Sequence, residues 1–96
     1  MLAKKEVEIE WEGKKEVVVV RELTWGEYNE VMEAAIDVYM VGGVPQTKFR
    51  YSKYRFELMK RALEKAPFPK EKIAELPRSI AEKIWRAVEE LNPLVV

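Results

Sequence analysis

The chain of 96 residues contains no cysteine and no histidine. Disulfides, thiolate nucleophiles and zinc–thiolate sites are therefore excluded, as are the usual acid–base group at neutral pH and the commonest metal ligand. Asp37 is the single aspartate, so the clustered aspartates of a Mg²⁺ or Ca²⁺ loop are missing. No histidine is present to activate Ser52 or Ser79 as a nucleophile. We expect a protein that is not an enzyme and that uses no metal or cofactor.

Long apolar runs are also missing. None approaches the roughly 18–20 residues that a membrane-spanning helix needs, and residues 1–13 lack the apolar segment of a signal peptide. We expect a cytoplasmic protein with no membrane partner, in the host cytoplasm if the chain is viral. The abundance of Glu and Lys and the scarcity of Asn and Gln are typical of a thermophile protein or a designed chain.

Charge is balanced overall but unevenly distributed. The 17 basic and 17 acidic residues cancel, so no net field attracts nucleic acid. Residues 1–40 hold five basic and ten acidic groups (net −5), residues 41–70 hold eight and two (net +6), and residues 71–96 hold four and five (net −1). The basic middle of one copy would complement the acidic first part of another, which favours a homo-oligomer that salt weakens.

Residues 6–22 predict a β-hairpin, because apolar residues alternate with glutamates before Gly13 and a run of four valines follows. A two-residue loop at Gly13 and Lys14 turns Val18 and Val20 toward the core, whereas a three-residue loop turns Val17 and Val19 inward. In either register one pair of valines shares the face of the glutamates. That pair is covered by another element of the domain, stays exposed, or contacts a partner.

Three main helices and one short helical turn follow the hairpin in the prediction. A capping box of Thr24 and Glu27 begins the first helix, over 24–41, and Gly42-Gly43 ends it before a loop. The other segments are a second helix over 50–66, a short helix over 69–76, and a last helix over 78–92 with a capping box of Ser79 and Glu82. We therefore expect one α+β domain over residues 1–96.

A basic, aromatic-rich segment over 48–61 indicates an alternative function. Lys48, Arg50, Lys53 and Arg61 interleave with tyrosines and phenylalanines, a mixture that binds phosphates and stacks on bases. The alternative prediction is a small nucleic-acid-binding accessory protein. The same charges also fit the outer face of an amphipathic helix, where Arg55 alone falls within the apolar arc and either snorkels, pairs with an acid or reaches an interface.

Two stretches carry a resemblance to a known family: "RELTWGEYNEVMEAAIDVY" and "FPKEKIAELPRSIAEKIWRAVEELNP". A strand leads into Leu-Thr-x-x-Glu and a helix, and after a middle helix Leu-Pro precedes a helix that ends in Leu-Asn. Over about residues 17–92 this order resembles the small tail assembly chaperones of bacteriophages and proviruses. The resemblance implies a virion assembly protein that binds the apolar tape measure protein and self-associates.

The predicted partner-binding residues combine the doubly apolar strand with neighbouring helical positions. They are Val17, Val19, Trp25, Tyr28 and Arg55. A chaperone for amphipathic helices needs apolar surface beyond what its own core consumes, and these residues are candidates to supply it.

Overall fold

A computed structural model describes residues 1–94 of the chain. It confirms an α+β fold in which an N-terminal β-hairpin precedes helices and further strands. The last two residues of the predicted domain, 95 and 96, lie outside the described residues. The elements in chain order are β1 (Lys4–Trp11), β2 (Lys14–Arg21), α1 (Trp25–Ala35), β3 (Ile36–Val41), β4 (Val44–Phe49), α2 (Tyr51–Ala62), β5 (Leu63–Lys65), a 3-10 helix (Lys70–Glu75) and α3 (Arg78–Leu91).

The turn of the first hairpin is Glu12-Gly13, one residue earlier than the predicted Gly13-Lys14 loop. Both turn residues have positive φ, 51° for Glu12 and 78° for Gly13. This is the pattern of a type I′ turn, whose twist matches that of the flanking strands. Trp11 consequently pairs with Lys14, and the predicted pairing is wrong by two residues. A shift of two keeps every side chain on its predicted face.

The core lies between the sheet and α3. The sheet has the antiparallel order β1-β2-β5, and α3 packs against β1 and β2. The inward-facing strand residues and the apolar stripe of α3 form one buried cluster, in which Val18 and Val20 are fully enclosed. The two-residue loop therefore gave the correct inward pair, and the three-residue alternative is wrong. Other members of the cluster are Val7, Ile9, Leu63, Ile84, Trp85 and Val88.

The junction of β2 and α1 is held by a charged cap. Thr24 and Glu27 form the predicted capping box, which confirms the start of the first helix. Glu27 also accepts two hydrogen bonds from the Arg21 guanidinium, at 2.8 and 2.7 Å. The Arg21 hydrogen bonds, followed by that from the Thr24 backbone, lower the pKa of the Glu27 carboxyl to about 2.

The predicted first helix, 24–41, is too long, because α1 ends at Ala35 and β3 begins at Ile36. The predicted loop after Gly42-Gly43 is likewise wrong, since those glycines form the tip of a second hairpin, β3–β4. Their φ values of 55° and 81° suit a second type I′ turn. Glycine adopts these angles without steric cost.

The second predicted helix, 50–66, is also too long, because α2 ends at Ala62. Leu63 and Lys65 pair instead with Val20 and Val19, which gives β2 a second neighbour. Pro67 supports this ending, since the residue before a proline is disfavoured in helical geometry. The pairing of β5 with the core sheet thus overrides the helical pattern of the segment.

The last two helical segments lie near their predicted positions, but one predicted cap is absent. The 3-10 helix spans Lys70–Glu75, and α3 spans Arg78–Leu91. Pro77 occupies the N-cap of α3 and no side chain caps it, so the predicted Ser79–Glu82 capping box is wrong. The Glu82 carboxylate accepts a hydrogen bond from Arg55 at 2.8 Å instead of reaching back to the helix start.

The shape of the molecule departs from that of a compact domain. The Cα radius of gyration is 15.3 Å and the principal extents are 55 × 31 × 20 Å. A compact domain of this length has a radius of about 12–13 Å. The second hairpin accounts for the elongation, because β3 and β4 pair chiefly with each other and all their residues are exposed.

Candidate protein-binding surface

The second hairpin has two chemically different faces. In the observed register Ile36 pairs with Phe49, and each following pair steps toward the glycine turn. Directly paired residues share a face and successive pairs alternate between faces. One side, here called the apolar face, contains Ile36, Val38, Met40, Pro45, Thr47 and Phe49. The opposite side, here called the mixed face, contains Asp37, Tyr39, Val41, Val44, Gln46 and Lys48.

The apolar face is largely open to solvent. Val38 is 68% exposed and Met40 is 63% exposed, values more typical of charged surface residues. Isolated exposed apolar residues are ordinary on protein surfaces, but a contiguous patch marks an interaction surface. An isolated two-stranded hairpin is also only marginally stable in water. This hairpin therefore lacks a covering layer within residues 1–94.

The base of the hairpin is anchored to the body. The Arg50 N–H donates to the Ala35 carbonyl at 2.7 Å, and Ala35 is fully buried. The Phe49 ring lies 5.4 Å from the ring of buried Tyr54, centroid to centroid. Tyr54 in turn meets the edge of Trp85 at 6.2 Å. Because Phe49 belongs to the apolar face, that face is continuous with the aromatic part of the core.

Of the predicted partner-binding residues, the two valines occupy the outer face of the core sheet. Val17 lies opposite Glu8 and Val19 lies opposite Glu6. Val17 is 43% exposed, whereas Val19 is partly buried. The outer pair is therefore not sealed beneath the helices, but it presents much less apolar area than the second hairpin.

The two aromatic residues of the predicted surface separate in the structure. Trp25, in the first turn of α1, is 84% exposed. Tyr28 is partly buried and packs against the core cluster. Only Trp25 is therefore free to contact a partner with most of its ring.

Arg55 makes internal contacts between α2 and α3. Its guanidinium donates to Glu82 at 2.8 Å and lies 5.0 Å from the centre of the Trp85 ring. This hydrogen bond lowers the pKa of the Glu82 carboxyl. The acid and the aromatic ring both belong to this domain, so the position of Arg55 fits the internal pair among the predicted alternatives.

The four basic residues of the alternative prediction do not form one free patch. Arg61 contacts Glu57 at 2.6 Å and Glu30 at 3.5 Å, and it lowers the pKa of the Glu57 carboxyl. Arg50 lies 3.5 Å from Asp37. Within residues 1–94, Lys48 and Lys53 form no ion pair. Two of the four charges are therefore already balanced by acids.

The main surface was missed from the sequence, although a signal for it was present. "IDVYMV" and "VPQTKF" are two strand-like runs separated by Gly-Gly, a two-residue hairpin pattern. Residues 36–40 also fit the apolar arc of a continued helix, and the glycines fit a helix stop equally well. The sequence pattern was therefore interpreted as one long helix, and the hairpin was not predicted.

No family model, curated protein or solved structure matches the chain. Among the described residues, no group of three or more acidic, histidine or cysteine side chains is placed to hold a metal ion. No helix of residues 1–94 has the length and apolarity needed to cross a membrane.

Proposed function

We propose that the protein is a non-enzymatic protein-binding module that uses the apolar face of its second hairpin to hold an apolar segment of another protein. The observation that carries this proposal is the exposure of Ile36, Val38 and Met40 on one side of a hairpin that no other element of residues 1–94 covers. Burying such a face against a partner removes apolar area from water and supplies the layer that a two-stranded hairpin lacks.

The chemistry of the face favours an amphipathic helix as the client. Its side chains are aliphatic or aromatic apart from Thr47, and the flexible thioether of Met40 adapts to different apolar shapes. A six-residue strand is about 20 Å long, which matches about four turns of helix. A helix with apolar residues three and four positions apart would present a complementary stripe.

This surface supports the family suggested by the resemblance, a phage or provirus tail assembly chaperone. In that role the client is the tape measure protein, an apolar chain that must be held before the tail tube polymerises. Continuity between the apolar face and the Phe49–Tyr54–Trp85 aromatic group gives the hairpin a firm base from which to hold it.

The test compares two neighbouring substitutions on opposite faces of the hairpin. Met40→Glu places a charge on the apolar face, and Val41→Glu places the same charge on the mixed face at a site of similar exposure, 56% against 63%. The probe is a fluorescein-labelled amphipathic helical peptide of about 20 residues with leucine at helical spacing. A peptide of the same composition in scrambled order controls for nonspecific hydrophobic binding.

We expect Met40→Glu to weaken peptide binding at least tenfold, because a carboxylate buried against leucines is desolvated without a partner. Val41→Glu should change the dissociation constant less than about threefold. Equal effects of the two substitutions, or equal binding of the scrambled peptide, would refute the proposal. Tight, salt-sensitive binding of single- or double-stranded DNA by the wild-type protein would favour the nucleic-acid alternative instead.

A further inference from the structure

The outer edge of β3 presents a row of backbone groups that pair with no strand in the described part of the chain. In a two-residue turn the Val44 N–H bonds to the Val41 carbonyl, so these two residues form a hydrogen-bonded pair. Hydrogen-bonded and non-hydrogen-bonded pairs then alternate along an antiparallel ladder. The observed bond from Arg50 N–H to the Ala35 carbonyl fits this alternation. The N–H and C=O groups of Ile36, Val38 and Met40 therefore point away from β4.

The other strand edges carry features that discourage pairing. By the same alternation, position 45 of β4 faces outward, and Pro45 has no N–H to donate there. The outer edge of β1 belongs to a strand with five charged residues among eight, and β5 is three residues long. Short length, proline and charge are the usual protections of a sheet edge. β3 has six residues, no proline and one charge, Asp37.

We propose that a second copy of this chain pairs antiparallel with β3 along this edge, about a twofold axis at Val38. Val38 then pairs with Val38 of the second copy, and Ile36 pairs with its Met40. The outward N–H and C=O groups of these residues meet in hydrogen-bonded pairs, giving a four-stranded sheet with β4 at each outer edge.

Charge disfavours one neighbouring register. With the axis at Val38, Asp37 lies opposite Tyr39 of the second copy. Moving the axis to position 37 would place two aspartates directly opposite each other, which is unfavourable. Lys48 belongs to β4 and Arg50 follows it, so these two cations do not face their counterparts across the shared edge.

Edge pairing leaves the apolar face open. Directly paired residues share a side of the sheet, so the apolar faces of both copies become one continuous surface. The biological role of this dimer rests on the proposed function, because dimerisation would double the apolar surface that is available to a client. One strand pair buries little area, so we expect a weak, concentration-dependent dimer.

The test uses two proline substitutions at the same cross-strand pair. Val38 and Thr47 face each other, and by the alternation neither N–H bonds within the hairpin. Val38→Pro removes an outward donor on β3, and Thr47→Pro removes one on β4. Both should leave the hairpin ladder intact, because proline is tolerated at such edge positions. Sedimentation velocity over about 10 µM to 1 mM measures the dimer dissociation constant, the range expected of a weak interface.

We expect Val38→Pro to raise the dimer dissociation constant at least tenfold, since both hydrogen bonds at the axis are lost. Thr47→Pro should stay within about threefold of wild type. As a second readout, Val38→Cys should form an interchain disulfide on mild oxidation, because paired Cα atoms about 5.5 Å apart allow it. Thr47→Cys should form no interchain disulfide under the same conditions, because position 47 lies on β4, away from the shared edge.

A wild-type protein that is monomeric throughout this range, or one weakened equally by both prolines, would overturn the inference. The helical peptide separates this failure from that of the proposed function. Peptide binding by a strictly monomeric protein would leave the function standing and remove the dimer. A β3-dependent dimer that binds no peptide would retain the dimer and remove the client.

Discussion

Asn92 ties the end of α3 to the turn between β2 and α1 by bonding to Leu23, 69 positions earlier in the chain. Its side-chain oxygen accepts the Leu23 N–H at 2.8 Å. Its amide group donates to the Arg21 carbonyl at 3.2 Å and to the Val88 carbonyl at 3.0 Å. Asn92 is buried, so one side chain satisfies three backbone groups from two parts of the core.

Replacing Asn92 by leucine should therefore destabilise the fold by about 3 kcal/mol, because buried backbone groups lose their partners without regaining water. Denaturant unfolding at neutral pH measures the loss. Asn29 offers a matched control, since its amide also donates to a backbone carbonyl, that of Trp25 at 3.0 Å, but from an exposed position. Asn29→Ala should change stability by about 0.5 kcal/mol or less. Similar losses for the two variants would contradict the role given to Asn92.

The capping contacts of Glu27 predict a specific pH dependence. The pKa of this carboxyl is about 2 in the folded protein, below its ordinary value of 4.5, chiefly because of the Arg21 hydrogen bonds. Stabilisation from a lowered pKa is complete above the unfolded value and is lost as the pH falls toward the folded value. We expect Glu27→Gln to cost about 1–2 kcal/mol at pH 7. That difference should shrink steadily below pH 4.5.

Unfolding free energies of wild type and Glu27→Gln, measured at several pH values, test this expectation. Glu33, an exposed glutamate of the same helix, provides the control substitution Glu33→Gln. A Glu27→Gln deficit that stays constant between neutral and acidic pH would show that the carboxylate charge is not what stabilises the cap.

Truncation of Trp85 should lower the free energy of unfolding far more than truncation of Trp25. Trp85 is 5% exposed and packs against both Tyr54 and Arg55, so Trp85→Ala should cost about 3–5 kcal/mol in unfolding free energy. Trp25→Ala should cost about 0.5 kcal/mol or less. Thermal and denaturant unfolding of the two variants measure both values. A large loss at Trp25 would mean that its ring is covered in solution.

The first hairpin and the last helix could be predicted because local pattern and tertiary packing agree there. Val7 and Ile9 alternate with glutamates and face the core, and Ile84 and Val88 lie one helical turn apart on the buried side of α3. The ends of α1 and α2 could not, because tertiary pairing decides them. Leu63 leaves a helical pattern to pair with Val20 in the core sheet.

The candidate site was the hardest part to predict. Its two strands are exposed, so no buried face indicates whether the segment is a helix or a strand. Ile36 and Val38 satisfy a helical stripe as well as a strand alternation over so short a run. The choice between them depends on the Gly42-Gly43 turn and on the exposed location of the strands. Val17 and Val19 were predicted to bind a partner and lie on the outer face of the sheet, one of the two arrangements that the sequence left open, but they form the smaller apolar area.

The most direct test of the central claim is a methyl NMR titration of the wild-type protein with the amphipathic peptide. The claim predicts that the methyl signals of Ile36, Val38 and Met40 shift together with peptide concentration while those of Val41 and Val44, on the mixed face, move little. Shifts confined to Val17 and Val19, or equal shifts on both faces of the hairpin, would contradict it.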